Sequence, residues 1–293
     1  MLRRAIAFFL CLVLLPFASI AEEAAVIEYL SPDDNTLPTL GAKGQLEVHC
    51  ISVGAADAFL LRCDGETMLI DCGEASAGET VLSYLESIGV EKLDYAMMSH
   101  LHNDHIGGYL RVLSEMPIDT VILPQGMDDF HSKVYDELAG IIADKRLPTL
   151  LPNDSAVIPL GGATLTLYQW QEADAKMNDQ SLLVLAQYGD RTMLFTGDVE
   201  NNGQRALAER LGEALSADIL KMPHHGLAAY MQEFHEAVQP ELAVYTNAKH
   251  RIMEKNRNLM KRYGIHVEVT TIGTLMLVTN GELWTAWQIP NGK

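Results

Sequence analysis

Apolar positions along the chain fall into two rhythms. One is the short, dense run of a buried strand, and the other is the three-and-four spacing of a helix face. QLEVHCISV (45–53) and AFLLRCDGETMLIDCG (58–73) read as strands joined by turns, with Asp-Gly-Glu as a tight reversal. ETVLSYLESIG places Val81, Leu82, Leu85 and Ile88 on one helical face, and Gly89 can cap its end. LDYAMMSH (93–100) is an apolar strand running into a polar cluster, IDTVILP (118–124) is a further strand, and residues 128–143 read as a helix.

A second round has the same make-up. ATLTLYQW, SLLVLAQYGD and RTMLFTGD are strands, the last two joined by a YGDR turn. NGQRALAERLG is a helix, ADILKMPHHG a strand ending in two histidines, MQEFHEAV a short helix, ELAVYTN a strand and KHRIMEKNRNLMKRYG a helix. The chain closes with HVEVT, LMLVTNGELWTAW and an Asn-Gly hairpin. Strands and helices alternate with hairpins between them. The pattern predicts an α/β fold, an αββα sandwich of two mixed β-sheets flanked by helices.

The two ends read differently. Residues 1–21 have Arg3 and Arg4, then an apolar run from Ala5 to Phe17, then Ser19-Ile20-Ala21 before two glutamates. That is the pattern of a secretory signal peptide, and the run is short for a membrane anchor. The expectation is an exported chain, secreted or held in the periplasm or cell envelope, with no later span. Residues 22–44, rich in Pro, Asp, Asn and Gly, read as a leader or linker. Residues 45–293 are then the catalytic domain. Of the cysteines outside the leader peptide, Cys50 and Cys63 could face each other across a hairpin. Three buried thiols, with Cys72, are the equal alternative.

The chemistry concentrates at strand ends. SHLHNDHIGG (99–108) sets His100, His102, Asp104 and His105 where a buried strand gives way to a loop, followed by Gly107 and Gly108. Alternate residues of an extended segment point the same way, so His100 and His102 can converge on one ion. After the turn, Asp104 and His105 can face a second. Imidazole and carboxylate donors suit zinc, and also manganese or iron. Asp198 ends one strand in TGD, His224 and His225 end another in PHHG, and Asp71 ends a third in LIDCG. Each is weak alone, and four such ends together are not chance.

These segments, with ISVGAADAFLLR before them and NDQSLLVLAQYGDRTMLFTGDVE after, resemble the metallo-β-lactamase fold superfamily. Within it they resemble the branch of the ComEC/Rec2 competence-protein hydrolase domain. The resemblance implies a dinuclear hydrolase, with two zinc ions as the expected cofactor. His100, His102, Asp104, His105 and Asp198 would be ligands, and Asp198 would bridge. Asp104 and Asp198 would be the catalytic carboxylates, and Asp71 would steady a ligand histidine. One of His224 and His225 would complete a site, His224 being favoured without excluding the other. Asn178 and Asp179 would lie near the mouth and touch substrate, or simply form a turn. His250 has two readings, a ligand of the second site or a solvated histidine at a helix start. Departures from the branch, SVGAADA at 52–58 and TNAKHRIMEKNRN at 246–258, leave occupancy of the second site open.

The implied activity is a metal-dependent hydrolase that acidifies a bound water, with a phosphodiester or other phosphate-linked ester as substrate, small molecule or polymer. With 21 Lys and Arg against 39 Asp and Glu, the formal charge of −18 disfavours nucleic acid as a long polyanionic partner. A β-lactam or carboxyl ester is the alternative substrate, and a non-catalytic ligand-binding module is the alternative role.

Overall fold

The computed structural model describes residues 26–127, 130–172 and 175–292. Its first sheet takes β1 (Ile27–Tyr29), β2 (Leu46–Cys50), β3 (Ala58–Cys63), β4 (Glu66–Cys72), β5 (Leu93–Met97), β6 (Ile118–Ile122) and β7 (Thr149–Leu150). The second takes β8 (Ser155–Leu160), β9 (Ala163–Gln169), β10 (Leu182–Tyr188), β11 (Arg191–Phe195), β12 (Ile219–Lys221), β13 (Leu242–Tyr245) and β14 (His266–Val269). The chain then returns to the first sheet with β15 (Gly273–Thr279) and β16 (Trp284–Pro290). The spatial orders are β1-β16-β15-β2-β3-β4-β5-β6-β7 and β14-β13-β12-β11-β10-β9-β8.

Both sheets are mixed. Antiparallel hairpins such as β3–β4 and β10–β11 sit beside parallel runs, β4 through β7 in one sheet and β11 through β14 in the other. Asp64 and Gly65, at φ 51° and 97°, supply the left-handed pair that a two-residue β3–β4 turn needs. One apolar layer lies between the sheets. In it Phe59 and Phe195 meet edge to face with centroids 5.1 Å apart.

Two further layers lie outside the sheets. One is under α1 (Gly78–Ser87), α2 (Asn103–Ile106), α3 (Tyr109–Glu115) and α4 (Lys133–Lys145). The other is under α5 (Asn201–Leu211), α6 (Gln232–Val238) and α7 (Glu254–Tyr263). The architecture is the αββα sandwich that the hydrophobic pattern predicts.

Three details differ from the sequence reading. The leader contributes β1, whose IEY pairs in parallel with Trp284–Ala286, so part of residues 22–44 is sheet. The helix expected over 128–143 runs Lys133–Lys145, capped by Ser132, and residues 128 and 129 lie outside the described residues. Among the described residues, Cys50, Cys63 and Cys72 are all free and buried. Register sets Cys50 opposite Phe59 and Cys63 opposite Leu46, at opposite ends of the strand pair, so they cannot bridge. The signal-peptide pattern of residues 1–21 also lies outside the described residues. Among the described residues no helix is long and apolar enough to cross a membrane.

Candidate metal centre

The carboxyl ends of β4, β5, β11, β12 and β13 point to one edge of the sandwich, where open α/β sheets present their crevice. From β4 comes Asp71, at φ 55°, turned off the strand and buried. It accepts the Ser99 N–H and Ser99 hydroxyl, each at 2.7 Å, and His105 Nδ1 at 2.7 Å. The glycines after the histidine motif are required by close approach. A Cβ on Gly108 would sit 2.0 Å from the Cys72 carbonyl oxygen, and one on Gly107 2.3 Å from the Ala75 nitrogen. Small residues there let α2 and α3 pack on the end of β4 and bring His105 onto Asp71.

From β12 comes a turn in which His224, His225 and Gly226 all have positive φ, 49°, 53° and 80°. Two non-glycine residues in a row in the left-handed region is a strained arrangement. It is tied down by His224 N–H to the Gly197 carbonyl at 3.2 Å and Leu227 N–H to the His224 carbonyl at 2.7 Å. Its effect is to direct both rings to Asp198, with His225 buried and His224 half-buried.

Asp198 divides the cluster into two halves. Its Oδ1 faces His105 Nε2 at 3.2 Å and His225 Nε2 at 3.4 Å, and Asp104 Oδ2 joins them 3.5 Å from His225 Nε2. Its Oδ2 faces His224 Nε2 at 3.6 Å and His100 Nε2 at 3.9 Å, and His102 Nδ1 lies 3.1 Å from His100 Nε2. Each half gathers three side chains plus one oxygen of a shared carboxylate, and could hold one cation.

The far nitrogens of His105, His100 and His225 are engaged by other groups, and that of His224 has a carboxylate nearby. Asp71 takes His105 Nδ1, and Ser99 Oγ lies 3.1 Å from His100 Nδ1. Thr246 Oγ1 and Asp57 Oδ1 lie 2.8 and 3.1 Å from His225 Nδ1, and Glu200 Oε1 lies 3.6 Å from His224 Nδ1. Carboxylate behind imidazole is the arrangement that fixes a ligand histidine's tautomer and raises its basicity.

The chemistry of the donor set fits metal ions. His105 Nε2, His225 Nε2 and Asp198 Oδ1 are buried with no hydrogen-bond partner, although they converge on one point. Native interiors leave few such atoms unpaired, and a cation at that point would satisfy all three. The local field asks for positive charge as well. Burial resists protonation of His105, yet Asp198 and Asp71 outweigh it and push its pKa up to about 10. Burial also resists ionisation of Asp104, but His225 and His105 hold it down to about 2. His100 is depressed by burial and by His105, so it stays neutral with a free lone pair.

Four buried residues, Asp57, His105, Asp198 and His225, have candidate ligand atoms mutually within 4.8 Å. Asp57 is better read as a support than as a ligand. Its oxygens face His225 Nδ1 and the Lys221 ammonium, on the side of the imidazoles away from Asp198. Lys221 is itself buried, donates to the Gly197 carbonyl at 2.6 Å and lies 3.5 Å from Asp198 Oδ1.

The structure brings His100, His102, Asp104, His105, Asp198, His224 and His225 together, with Asp71 behind His105. It does not bring His250, which is exposed on the turn Lys249–Arg251 with no hydrogen bond or ion pair to the cluster. The two histidines of PHHG lie in opposite halves of the cluster, and His250 lies in neither. Asp179 is buried and spent on the start of α5, accepting the Glu200 and Gly203 N–H groups at 2.8 and 3.1 Å. Asn178 donates to Glu200 Oε1 at 3.0 Å and so reaches the site only through Glu200 and His224. Both side chains are buried. The motif reading assigns no role to Lys221, Asp57, Ser99, Thr246 or Glu200. A lysine inside the apolar strand ADILKM was the available signal, because a parallel strand covered on both faces tolerates a charge only when it is paired.

Comparison with known proteins agrees with this geometry. Residues 51–246 match the family model of the metallo-beta-lactamase superfamily. The chain is 25% identical over 255 residues to ComE operon protein 3 of Bacillus subtilis, covering 78% of this chain and 32% of that protein. It is 34% identical over 86 residues to human zinc phosphodiesterase ELAC protein 1, covering 26% of this chain and 23% of that one. The chain thus spans about a third or less of the length of these relatives. Its fold superposes on CmlA, a diiron beta-hydroxylase from Streptomyces venezuelae, with a TM-score of 0.53 at 14% identity, covering 86% of this chain and 55% of that one. A two-sheet sandwich with its histidines and carboxylates at the strand ends, matched by the family model across the whole of that cluster, places this chain in the metallo-beta-lactamase superfamily.

Proposed function

We propose that the chain is an exported, metal-dependent hydrolase that cleaves a phosphodiester or another phosphate-linked ester. The observation that carries the reading is the pair of half-sites on the two oxygens of Asp198. A protein that only bound a ligand would have no need of two facing donor sets on one carboxylate. Two zinc ions suit these donors, His105, His225 and Asp104 holding one and His100, His102 and His224 the other, with Asp198 between. When bound, such ions supply Lewis acidity and a water acidic enough to ionise near neutral pH.

The remaining roles fall to the chain itself. Asp71 and Asp57 hold the His105 and His225 rings in register from behind, and Glu200 lies 3.6 Å from the His224 ring. Asp104 is held ionised at the solvent edge, where its carboxylate can accept a proton-bearing contact from an attacking water and orient it. His102 and His224 form the rest of that edge. The phosphate-ester choice is supported by the relative named a zinc phosphodiesterase, and export by the leader pattern of residues 1–21.

The test is hydrolysis of bis(p-nitrophenyl) phosphate by residues 22–293 with zinc, manganese or no metal, beside His102→Ala and Asp198→Ala. Metal-dependent turnover lost in both variants is expected. A folded, metal-loaded protein that leaves the diester intact but opens nitrocefin or a p-nitrophenyl carboxyl ester would replace the phosphate reading.

A further inference from the structure

The chain's charge is unevenly spread. Residues 249–262, KHRIMEKNRNLMKR, hold six of its 21 Lys and Arg residues and one of its 39 Asp and Glu residues. Some cations elsewhere pair off, as Lys92 does with Asp94 and Asp119, Arg111 with Glu79 and Glu115, and Lys176 with Glu200, and others, such as Lys145, are held by backbone carbonyls. Among the described residues, none of Lys249, Arg251, Lys255, Arg257, Lys261 and Arg262 makes an ion pair with a carboxylate. Of the six, Lys255 lies in the field of Glu233 and Arg262 lies over the Tyr263 ring, which leaves Lys249, Arg251, Arg257 and Lys261 open to an anion from outside.

Three of the six frame a cavity of about 520 Å³ between α7 and the strands β13 and β14. Lys249, Arg257 and Lys261 stand at its rim, and Ile252, Met260 and Ile265 give it an apolar floor. Among the described residues no carboxylate lines it. Glu268, two residues along β14 from the lining His266, is tied to His266 Nε2 at 2.8 Å. The Arg257 guanidinium is steadied by donating to the Ile252 carbonyl, and its remaining N–H groups are unclaimed. The volume falls within the range of small-molecule sites, and the lining combines an anion clamp with a hydrophobic bed.

The cavity also adjoins the metal-binding loop. Tyr245, which lines it, packs so closely on Gly226 that a Cβ there would lie 2.4 Å from the ring. Thr246, the next residue, contacts His225.

We propose that this cavity is a binding site for a phosphate ester carrying a ring-sized apolar body, the chemistry of a nucleotide. Phosphate meets the three cations and the ring lies on the apolar floor. The claim needs no turnover, so it stands or falls apart from the hydrolase reading. Two sources have this chemistry, the uncut arm of a phosphodiester substrate and a free nucleotide.

The experiment titrates adenosine 5′-monophosphate, adenosine and inorganic phosphate into the wild-type chain, Lys249→Glu/Lys261→Glu and Asp198→Ala, by calorimetry. AMP should bind wild type and Asp198→Ala alike, and about tenfold or more weaker to the charge-reversed chain. Adenosine and phosphate alone should each bind about tenfold or more weaker than AMP. Should the charge-reversed chain fail to fold, Lys249→Ala/Lys261→Ala gives the same comparison. AMP affinity that follows Asp198→Ala and ignores the lysines, or phosphate binding as tightly as AMP, overturns the proposal. The sources separate on a dinucleotide p-nitrophenyl ester. A raised KM at unchanged kcat in the lysine variant assigns the uncut arm, and an unchanged KM with AMP binding lost assigns a free nucleotide.

Discussion

Removing both partners of the Lys221–Asp57 pair should cost far less than the sum of removing each alone. Both side chains are at most 1% exposed, and the ammonium also touches the Gly197 carbonyl and lies 3.5 Å from Asp198 Oδ1. Stripping one member of a buried ion pair leaves an uncompensated charge, at about 3–5 kcal/mol. Lys221→Met should fall at the upper end, because Asp57 and Asp198 then face each other across the site with one cation fewer. Asp57→Asn should fall at the lower end, because Lys221 keeps Asp198 as a partner. The double variant removes both charges and should lose only about 2–4 kcal/mol, leaving a coupling of about 3 kcal/mol or more. Urea denaturation of chelated protein at pH 7, followed by circular dichroism, reads all four corners of the cycle. Effects that add within about 0.5 kcal/mol would show that the two charges do not act as a unit, and would refute the assignment of Asp57 as a support. Metal titration gives a second reading. Asp57 Oδ1 lies 3.1 Å from His225 Nδ1, so Asp57→Asn should weaken the tighter of two metal-binding steps, or the only one, by about 10–100-fold.

Elemental analysis should find about two metal ions in the loaded wild type, about one in His102→Ala, and less than one in Asp198→Ala, since Asp198 serves both halves. His250→Ala should leave that content unchanged, and a loss there would restore it as a ligand. Gly108→Ala should destabilise by about 3 kcal/mol or more, read as a lowered urea midpoint, because its Cβ would lie 2.0 Å from a backbone oxygen that cannot move aside. His49 gives a pH prediction far from the metal centre. Burial depresses its pKa, with Glu47 opposing, so the unfolded chain takes up a proton below about pH 6.5 that the folded one refuses. The stability it contributes is present above that pH and lost as pH falls towards the folded value, at up to about 1.4 kcal/mol per unit. In His49→Gln the thermal midpoint should fall less steeply between about pH 6.5 and 5, and an unchanged slope would discount His49.

The parts of this protein that were legible in its sequence are those in which local spacing and three-dimensional placement coincide. His100 and His102 converge because they alternate along extended chain, and Asp104 and His105 follow because one short helix begins at Asn103, directly after His102. Where placement depends on backbone that spacing does not encode, reading along the chain falls short. Nothing in PHHG announces that both histidines adopt left-handed φ, so two side chains that reach the two oxygens of Asp198 looked like a choice of one. Asp179 looked like a residue at the mouth because a turn before a strand is normally exposed, whereas here it folds under α5 as that helix's cap. Lys221 was hidden by the opposite error, a charge passed over because its neighbours are apolar. Averages conceal in the same way. A net charge of −18 argues against a polyanionic partner only if the charge is uniform, and an excess of five positive charges within residues 249–262, six cations less one acid, breaks that condition. Over a Debye length of about 8 Å an approaching phosphate responds to the three cations at the cavity rim and not to carboxylates on the far side of the sandwich, so the local sign decides what can dock there.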